Sequence, residues 1–85
     1  MAAELDDVYV ECPRPGVAVV IFAGKHDVAT SPAISYLLEG LTRANASLVA
    51  DFTSATFVDT SVLRVLFAAE ERASELGKEF RIQLT

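Results

Sequence analysis

The chain contains one cysteine, Cys12, so no disulfide can form within it and a small domain must be held by its core rather than by covalent staples. It also has one histidine, His26, and a lone Cys and a lone His at unrelated positions cannot supply the ligand set of a zinc site. Basic residues are scarce: seven Lys and Arg are scattered from Arg14 to Arg81 against twelve acids, leaving a net charge of −5. Binding to phosphate backbones needs clustered cations, so nucleic acid is not an expected partner. No apolar run is long: Val17 to Ala23 is far short of the roughly twenty residues that cross a bilayer, so direct membrane insertion is not expected. The opening MAAELDD is acidic where a secretory signal is basic and then apolar, which fits a cytoplasmic protein.

Catalytic and cofactor signatures are missing as well. Neither strand-to-helix turn carries the glycines that let a backbone approach phosphate, so no nucleotide cofactor is expected. His26, Asp27 and Ser31 share one loop but lack a G-x-S-x-G turn, and a loop histidine is ordinarily a solvated side chain. The chain is therefore not expected to be an enzyme.

What is present is a foldable amount of apolar surface. Hydrophobic residues make up 52% of 85 positions, enough for a single domain with one core and no room for a second. VYVEC, Val8 to Cys12, alternates like a half-exposed strand, and Pro13 to Gly16 form a turn leading into VAVVIFA. That second arm is apolar throughout, which predicts a central strand covered on both faces. GKHD then predicts a polar loop. The following segment places Ile34, Leu37, Leu38 and Leu41 at helical spacing, with Pro32 in the first turn and Thr30 or Ser31 as cap.

SLVADFT, Ser47 to Thr53, predicts a short strand, and Ser54 to Asp59 a connection into a second helix. That helix has an inward stripe of Val62, Leu63, Leu66, Ala69, Ala73 and Leu76, and Gly77 can end it. EFRIQL alternates as a last strand. The order predicts an α/β fold: a mixed β-sheet with an N-terminal hairpin followed by βαβαβ, with helices packed on one side of the sheet or both.

Sites in such folds collect where strands end and helices begin, which singles out Gly24 to Ser31 and Val58 to Val62. In the second turn, Asp59, Thr60 and Ser61 can serve as a helix cap, or present a hydroxyl to a docking partner. The residue types alone leave both open.

From VAVVIFAG through KHDVATSPAISYLL, LVADFT and TFVDTSVLRVLFAAEERA to FRIQL, the chain resembles the STAS domain of bacterial anti-sigma factor antagonists. The same domain occurs in sulphate transporter tails and lipid-transport complexes. The resemblance implies one domain over residues 1–85, lacking the further C-terminal helix that family domains commonly carry. It further implies a binding module that holds an anti-sigma factor with serine kinase activity and is switched by phosphorylation, so regulating transcription. On that resemblance Asp59 matches the acid of the signature, Thr60 its first hydroxyl, Ser61 the phosphoacceptor and Leu63 a buried leucine. Asp27, Thr30 and Ser31, together with Asp59 to Val62 and Arg64, match the partner surface. Val62 stands where the family usually has glycine, which predicts a branched side chain beside the docking point. That departure suits the alternative role, a non-phosphorylated scaffold subunit that meets a transporter ATPase or permease.

Overall fold

The computed structural model of the chain describes residues 7–84. The opening residues 1–6, on which the signal-peptide reading rests, and Thr85 lie outside that range. Strands β1 (Val8–Arg14), β2 (Val17–Phe22), β3 (Gly24–His26), β4 (Ser47–Asp51), β5 (Ala55–Val58) and β6 (Glu79–Gln83) alternate with helices α1 (Ser31–Ala44) and α2 (Thr60–Glu75). A 3-10 turn at Val28–Thr30 precedes α1.

Four strands form the main sheet in the order β1-β2-β4-β6, antiparallel at the hairpin and parallel elsewhere. The hairpin register shifts between Glu11 and Arg14, so β1 runs past Pro13 on a free edge, where a missing amide donor costs nothing. Gly16 closes the turn with φ of +82°, a value that disfavours any side chain.

Alternation sets the core. Ala18, Val20 and Phe22 of β2 align with Leu48 and Ala50 of β4 on one face, and all five are buried. Ile34 and Leu38 of α1 and Val62 and Leu66 of α2 close over that same face. Phe22 stacks on Phe52 with ring centroids 4.4 Å apart. The opposite face of β2, with Val17, Val19 and Ile21, is only half-buried, so the strand is central but fully covered on one side, not two. Its unbroken apolar run reflects partial shielding on that second face.

Helix α2 ends as its sequence predicts. Gly77 takes φ of +71°, its amide donates to the Ser74 carbonyl and the Lys78 amide to the Ala73 carbonyl, forming a Schellman stop. The inward stripe differs from expectation. Val62, Leu66 and Ala73 are buried and Val65 and Ala69 half-buried, whereas Leu63 is 37% and Leu76 39% exposed. The core contact falls one residue earlier than the family pattern implies, on Val62 and not on Leu63.

Candidate functional site

Two segments expected to be irregular are in fact strands. β3 and β5 pair in parallel as a separate two-stranded sheet, with His26 opposite Val58. The residues that follow, Asp27 and Asp59, therefore leave neighbouring strand ends side by side, and the Asp59 amide donates to the His26 carbonyl at 2.9 Å. This pairing brings together the two turns that were separate candidates in the sequence.

His26 is not a solvated side chain. It is buried, sits edge-on to Phe22 with ring centroids 5.4 Å apart, and its Nε2 lies 2.8 Å from the Ala23 carbonyl. A buried imidazole bonded to a nearby carbonyl fixes the end of β3, and so fixes where Asp59 attaches. The residue works as a structural pin beneath the site, and its polar neighbours in GKHD mask that in the sequence.

Both acids cap the turns that follow them. Asp27 accepts from the Ala29 amide at 3.0 Å and Asp59 from the Ser61 amide at 2.8 Å. Thr30 and Ser31 do not cap α1 as expected. Their hydroxyls donate backwards, to the carbonyls of Asp27 and Val28, which stiffens the 3-10 turn. The Asp59 carboxyl is held below the ordinary carboxylate range by the nearby Ser61 hydroxyl and by the Ser61 amide. Of the two, only the amide reaches hydrogen-bond geometry, so it makes the bond that defines the cap.

The two hydroxyls of the signature are presented differently. Thr60 is exposed at the first position of α2, while the Ser61 Oγ is buried and has no hydrogen-bond partner. Helical geometry gives the reason. Val62 points into the core with 0% exposure, and at about 100° per residue Ser61 lies on the flank of α2 and Thr60 nearly opposite the core. The hydroxyl of Ser61, the acceptor that the resemblance implies, is thus covered in this structure. The place given to Val62 on the partner surface is corrected: a fully buried side chain neither meets a partner nor obstructs one. Arg64 is exposed one turn beyond Thr60.

Among the described residues no cluster of His, Cys, Asp and Glu is arranged to hold a metal ion. No helix of the described residues is long and apolar enough to cross a membrane. What the edge offers is an exposed Thr60 at a helix start, directly after the capping Asp59, with Asp27 at the end of the neighbouring strand.

The STAS domain model matches residues 9–83. The chain belongs to the STAS domain family. Its fold is similar to that of the anti-sigma factor antagonist SpoIIAA in its unphosphorylated form, with a TM-score of 0.79 at 13% identity over 88% of this chain and 70% of that one. The phosphorylated form of SpoIIAA, a Bacillus cell fate determinant, matches with a TM-score of 0.77 at 13% identity, over 86% and 68% of the two chains. An anti-sigma factor antagonist from Mycobacterium paratuberculosis matches with a TM-score of 0.76 at 25% identity, covering 94% of this chain and 70% of that one. No curated protein sequence matches the chain. The mixed sheet with two helices on one face is the STAS arrangement seen in SpoIIAA.

Proposed function

We propose that this STAS domain is a binding module of the anti-sigma factor antagonist kind, held by an anti-sigma factor with serine/threonine kinase activity and released by phosphorylation. The observation that carries the reading is the exposed Thr60 at the start of α2, directly after the capping Asp59 and beside the strand that leads into Asp27. The acceptor in this proposal is Thr60 rather than Ser61, because a transferring kinase must reach the oxygen and the Ser61 Oγ is covered. Likeness to antagonists that include a phosphorylated form supports the class of partner.

The domain acts as substrate and not as enzyme. The kinase supplies ATP, magnesium and the base: the Thr60 oxygen attacks the γ-phosphorus, its proton passes to the kinase base, and ADP leaves. A phosphate adds about −1.5 to −2 charges at a helix N-terminus, where free amides and the dipole tolerate it, so the fold survives. Arg64 stands four residues on and can pair with that phosphate along the helix. At the partner interface the same charge joins Asp27 and Asp59, and repulsion with desolvation breaks the complex. Unmodified domain holds the anti-sigma factor and frees the sigma factor; modified domain releases it.

Pull-down with the unmodified domain, followed by incubation with the recovered kinase and Mg-ATP, tests this by mass-spectrometric placement of phosphate. Phosphate is expected on Thr60, lost in Thr60→Ala and kept in Ser61→Ala. Phosphate on Ser61 would overturn the choice of acceptor, and recovery of a transporter ATPase or permease in place of a kinase would overturn the antagonist reading. The scaffold alternative drew its support from a bulky Val62 at the docking point, and that support disappears with Val62 in the core.

A further inference from the structure

The face of the main sheet turned away from α1 and α2 carries a groove of about 400 Å3. Strand register builds it. Arg14, Val17, Ser47 and Glu79 lie in one row across β1, β2, β4 and β6, and Val49 and Arg81 lie in the next row that shares their face. Alternation sends the intervening Leu48 and Phe80 to the core side. Val17 and Val49 therefore form a half-buried apolar floor, and Arg14 and Arg81 stand at diagonal corners on the two outer strands, three strand spacings or about 14 Å apart across the sheet. Neither arginine makes an ion pair among the described residues, whereas Arg43 and Arg72 pair with Glu39 and Glu75. Glu79, which also lines the groove, is held by the Ser47 hydroxyl at 3.0 Å and not by either arginine. Glu11 and Asp51 share this face of the sheet but do not line the groove, and the Asp51 carboxylate accepts from the Thr53 amide. The lining thus carries two positive charges against one negative, in a chain whose net charge is −5.

We infer that this groove is a binding site for a small amphipathic monoanion, a carboxylate on an apolar body such as a medium-chain fatty acid. Arg14 and Arg81 close on the carboxylate from opposite corners, and the planar guanidinium fork is the side-chain group that matches it. The charges select a monoanion: one carboxylate cancels the surplus of one positive charge, and a second negative group would meet Glu79. The floor selects the body, because Val17 and Val49 give an alkyl chain apolar surface to cover, and the volume falls within the roughly 300–1,000 Å3 of small-molecule sites. Ser47 serves the site by holding Glu79 away from the arginines. The inference does not rest on the antagonist reading, since the groove lies across the sheet from both helices and uses none of the residues around Thr60.

The test is two-dimensional NMR of the nitrogen-labelled chain titrated with sodium octanoate. Saturable shifts are expected at the amides of Val17, Ser47 and Val49 and at the Nε–H groups of Arg14 and Arg81, half-complete in the millimolar range or below, about what ten heavy atoms provide at ordinary ligand efficiency. Acetate, which lacks the body, and octanol, which lacks the charge, should each bind at least about tenfold more weakly. Arg14→Gln and Arg81→Gln should each weaken octanoate by about tenfold. Glu79→Gln should strengthen it, and Arg64→Gln, on the exposed side of α2, should leave it unchanged. Melting temperatures check that each surface variant folds. Octanol binding as well as octanoate, or an Arg14 or Arg81 variant binding as the parent does, would overturn the clamp. Tighter binding of suberate, the dianion of the same length, would overturn the choice of a monoanion. Shifts centred on the exposed Leu63 and Phe67, or no saturable response to octanoate, would overturn the site itself. The antagonist reading is decided separately by the pull-down.

Discussion

Replacing Val62 by glycine, the residue common in the family at this position, separates a core role from a docking role. Val62 has 0% exposure and packs with Ile34, Leu38, Leu48 and Leu66 in the core cluster. The substitution removes three buried carbons, worth about 2–2.5 kcal/mol at roughly 0.8 kcal/mol each. Glycine in a helix adds about 0.5–1 kcal/mol relative to alanine, and incomplete collapse of the void adds further, giving a total of about 3–4 kcal/mol. A chain of 85 residues has roughly 4–13 kcal/mol of stability in all, so the variant should sit close to the limit of folding. The corresponding fall in Tm is roughly 12–30 °C for a domain of this size. Urea unfolding followed by circular dichroism, with thermal melts alongside, reads both quantities. An unchanged midpoint together with tighter partner binding would show that Val62 lies on the docking surface and would refute the burial argument.

Gly40 lies in the interior of α1, and a Cβ built there meets nothing within 4 Å, so Gly40→Ala should raise stability by about 0.5–1 kcal/mol in urea unfolding; a loss would mean that the helix needs the glycine for contact. The carboxyl of Asp51 is lowered by the Thr53 amide and then its hydroxyl, and that of Asp59 by the Ser61 hydroxyl and then its amide. A depressed folded-state pKa contributes stability that is present above the unfolded value of about 3.9 and is lost as pH falls through the folded value. Asp51→Asn and Asp59→Asn should therefore flatten the urea-midpoint profile on the acid side of about pH 4. The Asn side chain should still cap near neutral pH. A full acid loss in both variants would place the responsible carboxylates elsewhere.

The order of strands and helices was legible because its signals are long. Six apolar residues in β2, the spacing of Ile34, Leu37, Leu38 and Leu41, and Gly77 each have one reading under the periodicities of strand, helix and stop. The β3–β5 pair was not legible. Strands of three and four residues are too short to show a period, and they form because the main sheet and the helices bring their ends together. His26 escaped for a related reason: burial of a polar ring depends on Phe22 and the Ala23 carbonyl, and no local pattern encodes those contacts. The signature turn itself was located correctly, with Asp59 as cap.

What the sequence left undetermined in that turn is rotational phase. Moving a helix contact by one residue turns every side chain by about 100°, enough to exchange a buried position for an exposed one. Hydrophobicity cannot fix that phase when Val62, Leu63, Val65, Leu66 and Phe67 are all apolar, since either of two overlapping stripes would satisfy it. The fold fixes it through the Asp59 amide on the His26 carbonyl and the Ser61 amide on the Asp59 carboxylate, which set the direction in which α2 departs. Once Val62 faces the core, Thr60 and Phe67 must share the outward side, and Ser61 must lie against the flank. Residues 60 and 62 are then separated in consequence as well as in direction: a change at 62 is felt as stability, and a charge at 60, in the binding role proposed above, as affinity. A domain wired in this way can carry valine in place of the family's glycine without altering what a partner meets, because the added side chain enters the core on the side of the helix turned away from Thr60 and Phe67.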